Sequence, residues 1–387
     1  MKKATGILVF TLLLMVGCKG EQQSAEDFFT VDVTKEYSQK EELVLQDFMD
    51  VEYVALETNE EFVNQGFVQD VGKEFIVVKN RAADGDIFIY DRTGKAIRKI
   101  NRRGQGGEEY NSCFKILLDE ENKELFVSDI SLRKILAYDM YGNFKRSFKH
   151  REEGGSLFYT EIFNYDKDHL ICYDPYNETV PFVLISKQDG SIVKDIIPAF
   201  KEKKMLQQRS EDGENTYTVS PGPHRTIMPF KGNWMLLEHS SDTVYTFLPD
   251  YNLQPLLART PSIQSMDPEV YLTLRLFSDR YIFMEAVKNV YNWTTKKGFP
   301  TTYIAYDRQE KRFLGYTIYN GDYTTKKDIY MSRLRPVNHE IDSWSTFEAY
   351  QLVESYGKGE LQGKLKEIAA TLDEEDNVVV MLVKHKK

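Results

Sequence analysis

The densest run of chemically capable groups is Arg102-Arg103-Gly104-Gln105-Gly106-Gly107-Glu108-Glu109-Tyr110. Guanidinium groups, a carboxamide and a phenol on a glycine-rich loop suit a carboxylate or sulfate, because the planar guanidinium fork donates two parallel hydrogen bonds to such oxyanions. The loop is not a nucleotide phosphate cradle. That requires Gly-Lys-Ser/Thr opening a helix, and here two acids follow the glycines. Read without a ligand, the same glycines simply permit sharp turns between strands. A second candidate is Tyr291-Asn292-Trp293, inside the polar stretch Lys288–Thr302. Tyr291 and Trp293 offer broad rigid faces for a sugar ring, or else fold back onto their own sheet. A third is the charged stretch Lys201–Arg225, with Ser220-Pro221-Gly222-Pro223-His224 near its end. It exceeds ordinary loop length, so it is a lid or, for most of its length, surface decoration.

Other chemistry finds little support. The six histidines have no metal-ligand spacing such as His-x-x-x-His and no zincin pattern. No Gly-x-Ser-x-Gly elbow is present. Among 60 acidic residues chance pairs are easy, so no acid/base couple is assigned. Three cysteines cannot build a disulfide framework or a four-ligand zinc site. Cys113 and Cys172 fall on predicted strands and read as buried free thiols. No catalytic residue, metal ligand or cofactor is assigned. A net charge of −10 argues against nucleic acid as a partner, and 41% hydrophobic with 13% aromatic residues excludes intrinsic disorder.

The elements that must position these groups are strands. Short apolar runs recur at Phe75–Val78, Ile87–Tyr90, Leu125–Val127, Ile135–Tyr138, Leu170–Tyr173, Phe182–Ile185, Met235–Leu237, Tyr281–Met284 and Tyr303–Tyr306. Several are apolar at successive positions, so both faces of those sheets must be covered. The turns repeat too. Gly94, Gly142 and Gly190 stand 48 residues apart, each a few residues after an apolar run. A glycine there supplies the left-handed residue of a tight hairpin. Asn252 is expected to do the same, and Tyr306-Asp307-Arg308-Gln309-Glu310 is a degenerate further copy. Cys113–Lys149 shows a whole unit, with strands at Phe114–Asp119, Glu124–Asp129, Lys134–Asp139 and Phe144–Lys149. Repeated four-stranded units with two apolar faces predict an all-β fold, a six-bladed β-propeller of four-stranded antiparallel blades. Val51–Leu56 and Val378–Val383 are expected to close the ring within the last blade. Leu361, Leu365, Ile368, Ala369 and Leu372 predict a helix over 361–373, with a second over 346–355.

Four stretches then resemble the six-bladed β-propeller lipoproteins of Gram-negative bacteria, relatives of NHL-repeat propellers. They are Tyr53–Thr58, Ile97–Tyr110, Ser241–Tyr245 and the C-terminal helix and strand. The family usually has Gly-Gln-Gly-Pro-Gly-Glu-Tyr in the second stretch, where this chain has Gly107 and Glu108 in place of the proline and the next glycine. The leader agrees. Lys2 and Lys3 precede an apolar run from Ile7 to Val16, too short to span a bilayer comfortably. Met15-Val16-Gly17-Cys18 then resembles a lipobox, with Met15 where Leu is usual, which implies cleavage before Cys18 and lipidation of its thiol, the membrane contact. Lys19 stands where Asp would signal inner-membrane retention, so the resemblance implies the outer membrane. Lys19-Gly20-Glu21-Gln22 is similar to surface-export signals. The expected organisation is a signal peptide at 1–17, a lipidated cysteine and flexible tether at 18–30, and one propeller at 31–387.

For function, the first reading is a tethered, monomeric binding module. Its partner would be a glycan, a peptide or an outer-membrane protein, met by Arg102, Arg103, Gln105 and Tyr110 at the mouth of the central channel or by Tyr291 and Trp293. The alternative is a propeller hydrolase or lyase acting on sugars or lactones, with a divalent cation in the channel. A third is a purely structural partner in an outer-membrane complex. Propellers host all three. Cys18→Ala is expected to abolish lipidation and move the protein into the aqueous phase of a detergent partition. A variant that still entered the detergent phase would refute the lipid anchor.

Overall fold

A computed structural model describes residues 28–150, 159–222 and 224–386. The leader and Cys18 lie outside these residues. Six sheets hold the ring. Blade 1 comprises Phe67–Val71, Phe75–Lys79, Asp86–Asp91 and Ala96–Asn101. Blade 2 comprises Lys115–Asp119, Glu124–Asp129, Lys134–Asp139 and Phe144–Lys149. Blade 3 runs over Glu161–Asn164, His169–Tyr173, Phe182–Ser186 and Ile192–Ile196. Blade 4 holds Ile227–Phe230, Asn233–Leu236, Thr243–Phe247 and Leu253–Thr260. Blade 5 holds Val270–Phe277, Tyr281–Lys288, Thr301–Asp307 and Arg312–Tyr319. Blade 6 is completed across the chain. Arg335–Pro336, Ile341–Phe347 and Val379–His385 are joined by Met49–Ala55, which pairs antiparallel from Met49↔His385 to Ala55↔Val379. The ring is therefore closed where the early and late strands were expected to meet.

The contiguous apolar runs explain why sheets pack on both sides. In blade 1, Ile76, Val78, Phe88 and Tyr90 face a cluster shared with Val380 and Leu382 of blade 6. Val77, Ile87 and Ile89 face a cluster shared with Ile116 and Leu136 of blade 2. Alternate residues of one strand thus serve two neighbours, the period-two geometry of a strand buried on both faces. The core is accordingly a ring of wedges, one between each pair of adjacent blades. Outer strands are more exposed, as in Ile192–Ile196.

The repeated glycines have two reasons to be glycine. Gly94, Gly142 and Gly190 all have positive φ, at 89°, 83° and 72°. Each also presses on the outer strand of the preceding blade, against Ala55, Ile100 and Phe148 respectively. In the blade 4 hairpin the left-handed residue is Tyr251, at φ 66°, not Asn252. Asn252 instead donates from its amide to Asp250 Oδ1 at 3.1 Å, which fixes the turn one residue earlier.

Three features depart from the sequence reading. Phe29–Asp32 already pairs in parallel with Leu257–Thr260, so the fold begins inside the stretch expected to be tether. Lys40–Val44 adds in parallel to the outer edge of blade 5. Residues 29–55 thus run along the outer edges of three successive blades and cover edges that could otherwise pair with another chain. Thr346 and Phe347 belong to a strand, and the helix they were expected to open is Ala349–Gly357, which buries Ala349 and Leu352. The second C-terminal helix, Gly363–Ala369, is shorter than expected and buries Leu365 and Ala369.

Gly94→Ala and Gly213→Ala separate the two roles of a turn glycine. At Gly213 (φ 61°) an added methyl meets nothing within 4 Å, so only backbone strain of about 1–2 kcal/mol is expected. At Gly94 the methyl would lie 1.9 Å from the carbonyl oxygen of Ala55. Thermal unfolding should show a loss at Gly94→Ala at least twice that at Gly213→Ala. Equal losses would refute the close inter-blade approach.

Candidate functional site

The inner strand of each blade has no strand partner on its inward edge. Neighbouring blades answer part of that edge with side chains. The amide of Leu118 donates to Asp70 Oδ2 at 2.9 Å. The amides of Thr226 and Ile227 donate to Glu161 at 3.1–3.3 Å. Asn338 Nδ2 donates to the carbonyl of Val71 at 2.9 Å. Burial pushes the Asp70 carboxyl up to about 6 and raises that of Glu161.

Between these strands the channel opens into two cavities. Gln69, Lys115, Phe163 and Pro336 belong to the walls of both. The mouth where the inner strands begin has a volume of about 620 Å³. Its charged wall residues are Lys115, Lys204, Arg225 and Arg335 against Glu161, four cations to one carboxylate. Phe67, Phe114, Tyr176 and Trp344 add aromatic surface, and Phe67 and Phe114 are exposed. The opposite mouth, about 550 Å³, has the other sign. Its walls carry six carboxylates, including Asp70, Glu120 and Asp166, and four lysines. Among the described residues, no three of His, Cys, Asp or Glu gather closely enough to hold a metal ion. Carboxylates there are set against lysines or amides instead. Lys187 Nζ meets Asp119 Oδ2 at 2.7 Å, and Glu120 accepts the amides of Lys73, Glu74 and Phe75.

The cation-rich mouth also holds two histidines. The rings of His224 and His239 stand edge to face at 5.0 Å. His224 Nε2 lies 3.3 Å from Ser220 Oγ, while His224 Nδ1 and His239 Nε2 have no hydrogen-bond partner among the described residues. Burial, reinforced by Lys203 and Arg275, holds His239 down to about 3. The neighbouring Arg225 is 3% exposed. Its Nη2 donates to the carbonyl of Leu334 at 2.5 Å, and its Nη1 stands 3.9 Å from Asp342 Oδ2.

Two of the three stretches singled out by sequence lie elsewhere. The Arg102–Tyr110 loop borders a separate groove with Asn143 and Phe144 of blade 2 rather than the channel mouth expected for it. Arg102 Nε donates to the carbonyl of Gly142 at 2.6 Å, which ties the loop to the outer hairpin of the next blade. Tyr110 is fully buried. Its hydroxyl donates to Gly85 O and accepts from the Arg102 amide. Arg103 and Gln105 are exposed. Tyr291 and Trp293 pack on one another at 5.0 Å in the small hairpin of Tyr291–Asn292 and Lys297–Gly298. Tyr291 also meets Phe299 at 5.7 Å, so these rings fold back onto their own hairpin.

The long insertion is divided in use. Its hairpin, Gln208–Asp212 with Asn215–Val219, is largely exposed. Its roots, Lys204–Gln207 with Ser220, Gly222, His224 and Arg225, help to wall the mouth. Leu206 anchors them among Ile263, Tyr271 and Val287. Pro223 lies outside the described residues. Sequence reasoning did not find Lys115, Glu161 or Arg335, and reached Arg225 only as the end of the 201–225 stretch. Their only local signal was polarity at the start of a strand.

The family model described as "Domain of unknown function (DUF4934)" matches residues 28–384. No curated protein matches the chain. Among solved structures, a candidate exported protein of Bacteroides fragilis is 15% identical with a TM-score of 0.56, covering 93% of this chain and 99% of its own. A DUF4221 member from Bacteroides vulgatus is 10% identical with a TM-score of 0.48, covering 88% and 99%. Virginiamycin B lyase from Staphylococcus aureus is 8% identical with a TM-score of 0.36, covering 87% and 99%. The likeness to the B. fragilis protein shows the propeller fold.

The buried histidine makes stability depend on pH. Unfolded, an imidazole takes up a proton below about 6.5. Folded, His239 stays neutral until about 3. Its contribution is therefore present above pH 6.5 and lost as pH falls, by about 1 kcal/mol per pH unit. Asp70 acts in the opposite sense, since a carboxyl raised to about 6 favours the fold as pH falls below that value. Urea unfolding of His239→Gln should show a flatter decline between pH 6.5 and 4.5 than the parent. An unchanged slope would refute the neutral buried imidazole.

Proposed function

The chain belongs to the DUF4934 family, and from that premise we propose that it is an extracytoplasmic binding propeller. A lipid on Cys18 holds the ring at the outer membrane, facing the cell surface. A ligand sits in the axial mouth where the inner strands begin. The leader supports the address, with Lys2 and Lys3 before an apolar run that ends in Val16-Gly17-Cys18.

The observation that carries the binding role is the mouth itself. It is a concave space of about 620 Å³ that mixes aromatic surface with a few charged groups, the make-up of small-molecule sites. Phe67 at 46% and Phe114 at 38% are exposed beside it. Large aromatic rings left in water at a cavity rim mark surfaces that bind something. The ring beneath is fixed by inter-blade packing on every side, so the site is pre-formed and little is lost in ordering it.

The test is binding to glycan and peptide arrays by the full chain and by Phe67→Ala/Phe114→Ala. Both rings are exposed, so the double variant should melt with the parent. Binding is expected for the parent, and the variant should lose about tenfold or more. Absence of binding on either array, or binding that ignores the double substitution, would overturn the reading.

A further inference from the structure

We propose that the axial mouth recognises an oxyanion, a carboxylate or a sulfate ester, on a small ring-bearing ligand, with Arg335 and Lys115 as its principal partners. This rests on the mouth being the binding site and names the class of ligand it takes.

The first observation is electrical asymmetry. The whole chain carries −10, and the opposite mouth of the same channel has six carboxylates to four lysines. This mouth has four cations to one carboxylate. Lys115 lies in both walls, and without it the contrast is three cations to one carboxylate here against three lysines to six carboxylates there.

The second is that the cations are only partly answered from within. Among the described residues, neither Lys115 Nζ nor the Arg335 guanidinium makes an ion pair or side-chain hydrogen bond. Lys115 Nζ lies over the Phe163 ring at 5.3 Å. Arg225, almost wholly buried, has two nitrogens, Nε and Nη1, that make no hydrogen bond among the described residues, although Nη1 stands 3.9 Å from Asp342 Oδ2. The one carboxylate, Glu161, is committed to the amides of Thr226 and Ile227. Like charges gathered in a partly desolvated space repel, and buried donors without acceptors cost free energy. Burial accordingly lowers the proton affinity of Lys115 and Arg335. A bound oxyanion relieves the repulsion and accepts those donors.

The third is source and geometry. Lys115 comes from blade 2, Arg335 from blade 6, and Arg225 from the chain entering blade 4. Donors from separate blades surround a point near the axis, where a guanidinium fork can meet two oxygens of one group. The aromatic rim then faces the rest of the ligand, which favours a ring over a bare ion.

The experiment is titration calorimetry on the full chain with glucuronate, glucose 6-sulfate, inorganic sulfate and glucose. Glucuronate or glucose 6-sulfate should bind about tenfold or more tightly than glucose and than inorganic sulfate. The preference should weaken on adding about 0.5 M NaCl, because part of the attraction is screened. Arg335→Gln should lose the preference, Arg335→Lys should retain part of it, and Lys167→Gln at the other mouth should change nothing. Lys115→Gln provides a second test, and melting curves confirm that each variant is folded. Glucose binding as tightly as the anions, or Lys167→Gln weakening them as much as Arg335→Gln, would overturn the assignment. So would the absence of binding by either anionic sugar. In each case a neutral or cationic ligand retained on the arrays would leave the binding role standing. Failure on the arrays as well would remove both.

Discussion

The constraint on which the rest depends is the inward edge of each inner strand. The six sheets stand about the axis as separate sheets, and their innermost strands do not pair with one another. A buried amide or carbonyl without a partner costs free energy comparable to a lost hydrogen bond. The chain answers with side chains sent from one blade to the backbone of another. Gln69 and Asp70 of blade 1 accept from Ile116 and Leu118 of blade 2. Asn164 of blade 3 donates to Leu118 from the other side. Glu161 receives the first amides of blade 4. The polarity of the channel is thus a structural necessity before it is a functional opportunity.

That distinction sorts the charged groups. Asp70 and Glu161 stabilise the ring, and their partners are backbone amides. Lys187 does so as well: at 2% exposure it meets both Asp119 Oδ2 and the carbonyl of Asp166 at 2.7 Å, joining blades 2 and 3. A buried ion pair need not add stability over an apolar substitute, but removing one partner strands the other charge. Arg335 and Lys115 belong to a different set. Both line the channel mouth, and among the described residues neither donates to a backbone group. Their compensation within the chain is the longer-range charge of Glu161 and, for Lys115, of Asp70, and perturbed charges in a cleft are candidates for ligand contact.

The fold was legible because its signals are local and repeated. Ile76 to Val78 and Ile87 to Tyr90 are apolar at every position, and each such run packs against two neighbouring blades. The glycine at a 48-residue interval recurs because a positive φ and contact with the previous blade coincide at one position. The site was illegible for the opposite reason. Glu161 follows Lys115 by 46 residues, Arg225 follows Glu161 by 64, and Arg335 follows Arg225 by 110. Each is one polar residue beside a short strand, and only closure of the ring brings them together. The Arg102–Tyr110 loop drew notice through its density of polar groups and glycines. Of those glycines Gly104 is the most closely approached, by the Glu109 carboxylate, while a methyl on Gly107 would meet nothing within 4 Å, and the loop folds over a buried Tyr110.

The long insertion shows how such a ring acquires specificity at small structural cost. A propeller core tolerates little change, because each inward residue packs against two blades at near-crystalline density. Connections into the inner strands are free of that constraint, and they open beside the axis. Here the roots of the 201–225 stretch supply Lys204, His224 and Arg225 to the mouth, while Leu206 fastens them to blade 5 through Tyr271 and Val287. Gln208 Nε2 adds a bond to the Asn289 carbonyl at 2.8 Å. The exposed hairpin beyond them carries none of the core. Charge and shape at the mouth can therefore vary with this one connection while the six wedges beneath stay fixed. A ring held by its wedges can carry different groups at its rim, which is the physical reason a propeller fold predicts so little about its ligand.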